Sequence, residues 1–144
     1  MRLWHQTLIP YLDRQHLLGQ HRECCALRGL GWGRKHATVD YVFKHKYISL
    51  YRYHVKVMTE MTNRGYTVDP LWTDPNYHGQ EMGFVYEYEY PLRELQTAKT
   101  TTAIIYPEHS DTYLRECIDL LKQKNAPMDF DKIEKELLKC ENVN

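Results

Sequence analysis

At 144 residues the chain fits one domain, long enough to bury a core without disulfide staples. Its formal net charge of zero excludes a protein-wide field that would steer it onto nucleic acid, and no apolar run approaches the roughly 20 residues of a membrane span. Met1 to Pro10 lacks the charged start, apolar stretch and small-residue cleavage site of a signal peptide, so a cytoplasmic, intracellular protein is expected.

The neutral total conceals two unlike halves. Residues 1–60 carry ten Lys and Arg against four Asp and Glu, a balance of +6, and residues 61–144 carry nine against fifteen, a balance of −6. The first half also holds six of the eight histidines. Such a half suits a polyanion such as nucleic acid, although both halves could simply solvate their own helix faces.

Pro10 sits well in the first turn of a helix, and Leu12, His16, Leu17, Gln20, Cys24 and Leu27 follow at three- and four-residue steps, so a helix over about 10–27 is predicted. Gly29, Gly31 and Gly33 then interrupt regular structure and suit a loop that presents backbone N–H groups to a ligand. A short helix is predicted over His36 to Phe43. A longer one follows over about 48–64, with Leu50, His54, Val57, Met58 and Met61 on one face and Gly65 at its stop. The segment from Pro70 to Gly79 reads as irregular.

MGFVYEYEYPL, residues 82–92, alternates in steps of two, with Phe84, Tyr86, Tyr88 and Tyr90 on one side. KTTTAIIY, residues 99–106, is also β-prone, so the two are expected to pair as a hairpin. Ser110 or Asp111 can cap a helix carrying Tyr113, Leu114, Cys117, Ile118 and Leu121, and Asp129 can cap a last one with Ile133, Leu137 and Leu138. The expected fold is mainly α, a single compact helical domain over residues 1–144 with a small β-hairpin insertion at about 70–106. Cys24 and Cys25 are adjacent, and Cys117 and Cys140 fall in separate helix-like segments, so all four read as thiols rather than as a disulfide framework or a zinc knuckle.

The densest chemistry lies in RQHLLGQHRECCALRGLGWGRKH, residues 14–36: Arg14, Arg22, Arg28, Arg34 and Lys35, three histidines and one acid, Glu23. Glu23 shares a helix face with His16, seven residues earlier. A lone carboxylate there weakens attraction for phosphate, so it needs a salt-bridge partner or a task of its own. Arg22, Arg28, Arg34 and Lys35 are spaced to grip successive phosphates. Trp32, between two of the glycines, can stack on a base or cap the core. No histidine pair among His5, His16, His21, His36, His45 and His54 has the four-residue spacing with a nearby acid that a hydrolytic zinc site prefers, and neither metal nor cofactor is expected.

These residues resemble a known family. T-L-I at Thr7 to Ile9, Q-H-L at Gln15 to Leu17, R-E at Arg22 and Glu23, then Arg28, R-K-H at Arg34 to His36 and N-R-G-Y at Asn63 to Tyr66 are similar to the pyrimidine-dimer DNA glycosylases of the phage endonuclease V type. The likeness is best over residues 1–66 and weaker at 107–124. It implies a mostly helical protein acting on double-stranded DNA that contains a lesion, with no obligate protein partner. It also implies glycosidic cleavage followed by strand nicking, through a Schiff base between an N-terminal α-amine and the sugar. Carried onto this chain, Met1 and Glu23 are the catalytic residues, Arg2, Arg22, Arg28, Arg34 and Lys35 bind DNA, and His16 and His36 support the site. One departure concerns the terminus. The family's nucleophile is typically a small residue exposed by removal of the initiator Met, whereas Arg2 is bulky, so Met1 stays and its own α-amine takes the role. The alternative reading is a non-catalytic nucleic-acid-binding or interaction module on the same fold.

Overall fold

The computed structural model describes residues 2–29, 38–86 and 90–138. Five α-helices run in chain order: α1 Arg14–Arg28, α2 Tyr47–Asn63, α3 Arg93–Thr100, α4 Asp111–Gln123 and α5 Phe130–Leu137, with 3-10 turns at Gln6–Tyr11, Asp40–Lys44 and Pro70–Thr73. The mainly α reading holds. Among the described residues no helix is long and apolar enough to cross a membrane.

The helix expected from Pro10 is two elements. Pro10 lies inside the Gln6–Tyr11 turn, the chain extends through Leu12, and α1 starts only after Asp13, whose side chain accepts from the His16 N–H. An aspartate satisfies an orphan donor of the first turn, which proline cannot do, so the cap sets the start. Leu17, Cys24 and Leu27 then point into the core. At the other end the Gly29 N–H bonds the Cys25 and Ala26 carbonyls. A Cβ on Gly29 would come 3.3 Å from the His78 carbonyl oxygen, so a side chain there requires that carbonyl to give way by a few tenths of an ångström.

α2 is the central element, because it is buried on two sides. Leu50, Tyr53, Val57 and Met61 join the main core, while Tyr51, Val55 and Met58 form a second cluster with Ala98 of α3. Gly65 ends it in the left-handed region (φ +85°) that favours glycine. All five residues of the expected α2 face are buried, but they do not share one side: Met58 turns to the second side, where α3 packs, and His54 meets Arg28. The short helix expected over His36 to Phe43 is the Asp40–Lys44 turn, with His36 outside the described residues.

Among the described residues the expected hairpin does not form. Tyr77 and Phe84 make a single antiparallel bridge around a turn with Gly79 and Gly83 at positive φ. The proposed partner segment begins inside α3, where Ala98 is fully buried against α2. β propensity of the threonine run loses to that burial. The Thr100 and Thr101 hydroxyls bond back to the Gln96 and Thr97 carbonyls, so these side chains finish the helix end rather than oppose it. Ser110 and Asp129 cap α4 and α5 as expected, and Leu114, Cys117, Ile118, Leu121 and Ile133 close the core.

Candidate active site

A cleft of about 420 Å³ lies between the start of the chain, the outer face of α1 and the end of α4. Arg2, Trp4, His16, Gly19, Arg22 and Glu23 line it, together with Thr38, Leu120 and Lys124. The Glu23–His16 face read from helical spacing is therefore a wall of this cleft.

Gln20 fixes the first residues against that wall. Its Oε1 accepts from the Trp4 N–H at 2.7 Å and its Nε2 donates to the Arg2 carbonyl at 3.0 Å, as a neighbouring strand would. The Tyr53 hydroxyl reaches the Trp4 carbonyl at 2.6 Å and Gln20 Oε1 at 2.9 Å, so α2 braces the same contact. Gln20 is 2% exposed, which makes its carboxamide a rigid part of the frame.

Glu23 is buried, and its Oε1 has no hydrogen-bond partner among the described residues. Burial pushes its carboxyl from the usual range up to about 7, against the opposing pull of positive charge at the chain terminus. A carboxyl in that condition changes protonation near neutral pH, the property required of a group that both gives and takes a proton. It is also left unneutralised by any salt bridge within the described residues, which favours the task of its own over the structural alternative.

The cations divide. Arg22 lines the cleft. Arg2 lines it too, holds Glu116 at 3.2 Å and lies over the rings of Trp4 and Tyr113. Arg28 does not belong with them. It is 1% exposed and donates to the Tyr47 hydroxyl, His54 Nδ1 and the carbonyls of Trp72, Asp74 and Tyr77. These five acceptors use all five guanidinium N–H groups, so none remains for a phosphate. Arg28 ties the 72–77 segment to α1 and α2, and its expected place on the DNA-binding face is corrected accordingly. Met1, Trp32, Arg34, Lys35 and His36 lie outside the described residues, as do Gly31 and Gly33.

Three residues of the site were not singled out from the sequence. Lys124 comes from the far end of the chain, and nothing local to it signals the cleft. Gln20 reads as one more α1 core position. Asp13 carries a usable signal, an acid three residues before His16 at a helix start: its Oδ1 lies 2.7 Å from His16 Nδ1.

One other cluster has donor atoms of metal-binding type. His21, Cys25 and His54 each place an atom within 4.8 Å of the others. Arg28 is a donor only, so His54 Nδ1 must accept and the neutral ring carries its proton on Nε2, which lies 2.8 Å from His21 Nδ1. That nitrogen is the one that faces Cys25 Sγ, at 4.0 Å. A cation there would need a deprotonated imidazole beside a guanidinium, so the arrangement fits a hydrogen-bonded histidine pair rather than an ion site.

No curated protein and no solved structure matches the chain. A family model does: that of the pyrimidine dimer DNA glycosylases, over residues 1–74. The matched half contains the N-terminal segment pinned by Gln20 and all of α1 with His16, Arg22 and Glu23. With that match the cleft residues and the motif order agree, and the chain belongs to the pyrimidine dimer DNA glycosylase family.

Proposed function

We propose that the protein is a DNA repair glycosylase with AP-lyase activity, acting on damaged bases such as pyrimidine dimers in double-stranded DNA through a Schiff base on its N-terminal amine. The observation that carries this reading is Glu23: a buried carboxyl with an unpartnered oxygen, poised near neutrality, in a cleft that also holds Arg2 and Arg22.

The Met1 α-amine, whose unperturbed pKa near 8 leaves part of it neutral at physiological pH, attacks C1′ of the damaged nucleotide. The C1′–N bond breaks with its electron pair on the base, which takes up the proton that the attacking amine loses. Opening of the sugar follows: the C1′–O4′ bond breaks, O4′ takes the proton of the Glu23 acid, and an iminium forms between C1′ and the amine. The carboxylate left behind faces that cation. Loss of a proton from C2′ then lets the C3′–O bond break, and the phosphate leaves with the pair, nicking the strand. Arg2, Arg22, Arg34 and Lys35 hold the flanking phosphates, with His16 and His36 as support.

Borohydride reduction in the presence of an abasic duplex tests the reading. A covalent protein–DNA adduct together with nicking of unreduced duplex is expected. Salt-sensitive binding without adduct or nicking would leave the alternative, a binding module on the same fold.

A further inference from the structure

We infer that Asp13 is a positioning residue that holds the His16 ring with Nε2 presented to the cleft as the acceptor of the sugar C2′ proton; this rests on the function proposed above. Asp13 Oδ1 lies 2.7 Å from His16 Nδ1, while the capping contact of Oδ2 with the His16 N–H is long, at 3.4 Å. Capping alone does not account for this choice of residue, because serine or threonine caps as well and leaves no buried charge. The Asp13 side chain is 5% exposed, and a carboxylate so withdrawn from water needs a hydrogen-bonded partner able to carry positive charge. The His16 ring is that partner.

An ionised carboxylate only accepts, so Nδ1 of the ring carries a proton and the neutral ring has its lone pair on Nε2. Among the described residues Nε2 has no hydrogen-bond partner, and the edge of Trp4, 5.8 Å away and 75° inclined, limits rotation of the ring. His16 lines the cleft beside Glu23, with Arg2, Arg22 and Lys124 as the other charged groups that line it. Glu23, having given its proton to O4′, faces the iminium. As the C3′–O bond breaks and the phosphate leaves with its pair, the C2′ hydrogen departs as a proton to Nε2, and the C2′–H pair becomes the new C2′=C3′ bond. The ring becomes a cation next to the Asp13 carboxylate and later returns its proton to water. The same division of labour operates wherever a buried carboxylate holds an imidazole in one tautomer.

Two variants separate this role from capping. Asp13→Ser keeps a cap and removes the contact with the ring. Asp13→Asn keeps the cap but replaces the carboxylate with a neutral amide that can accept from or donate to Nδ1, so it no longer holds one tautomer. In the free wild-type protein, nitrogen NMR of the neutral His16 ring is expected to show the Nδ1–H tautomer, and Asp13→Ser is expected to shift it toward Nε2–H. On a preformed abasic duplex, both variants should nick at least about tenfold more slowly with DNA affinity kept, because neither sets a carboxylate against the ring. A wild-type ring already in the Nε2–H form, or full nicking by a folded Asp13→Ser protein whose tautomer has switched, would overturn the inference. Because the tautomer is read without substrate, a wild-type protein inactive on abasic DNA counts against the proposed function, while the tautomer still decides whether Asp13 sets the ring.

Discussion

Replacing Arg28 with methionine keeps much of the side chain's volume and removes all five of its donors. Of the five contacts, those with the Tyr47 hydroxyl and the carbonyls of Trp72 and Asp74 are only partly buried, so water can substitute there. His54 Nδ1 and the Tyr77 carbonyl are buried and would be left unpaired. Each such group costs about 1–3 kcal/mol, and the cation–π contacts with Trp72, Tyr51 and Tyr47 are lost as well. The removed guanidinium no longer needs desolvating, which offsets part of the loss. Together these give about 3–5 kcal/mol, as for other buried charged networks broken from one side, and a fall in Tm of roughly 10–15 °C for a domain of this size. Arg28→Lys should lose nearly as much, since three ammonium donors on a flexible stem cannot serve five fixed acceptors. Urea unfolding followed by circular dichroism measures the difference. A loss below about 1 kcal/mol, accompanied by a shallower salt dependence of DNA binding, would return Arg28 to the phosphate face and refute the reasoning.

Glu23→Gln should abolish nicking and leave DNA binding nearly intact. Because the folded-state pKa of Glu23 is raised to about 7, ionising it opposes folding, so the variant should be the more stable protein above pH 7, by about 1–2 kcal/mol. That advantage should grow from the unfolded value of about 4.5 up to 7 and vanish below it; equal stabilities at pH 8 would contradict the burial of the carboxyl. Arg22→Gln should weaken DNA binding and reduce the slope of log affinity against log salt by about one unit, as seen in isotherms at several salt concentrations, and an unchanged slope would make it a solvated cation only. Gln20→Ala removes the two Gln20 contacts with Arg2 and Trp4, and it should lower the single-turnover rate of adduct formation at least about tenfold at unchanged DNA affinity. Equal trapping rates would show that the carboxamide does not place the terminus.

Much of this fold could be read from single residues whose effect is local. Ser110 and Asp129 announce helix starts because a cap acts within three residues, and Gly65 announces a stop because few other residues adopt its backbone. Glu23 among cations was legible for the same reason: a carboxylate on a phosphate-binding face is a conflict visible without coordinates. What failed depended on partners distant in the chain. The threonine run after Lys99 looked like a strand until α2 supplied a surface for Ala98. Pro10 reads as a helix start, but Asp13 supplies the side-chain cap that a proline cannot. Arg28 looked like its neighbours in the basic stretch, and only the return of residues 72–77 over the end of α1 turns it inward. Gln20 and Lys124 belong to the site through the same kind of distant contact.

The central claim is that the amine of the chain terminus forms the covalent bond and that Glu23 carries the proton chemistry around it. Peptide mapping of the borohydride-reduced adduct on an abasic duplex tests it most directly. Attachment at the Met1 α-amine is expected, with no adduct from a protein whose terminus is blocked by an uncleaved extension and normal trapping when the same tag is placed at the C-terminus, because an amide nitrogen cannot form an imine. Attachment at a lysine such as Lys35, or undiminished trapping with a blocked terminus, would contradict it.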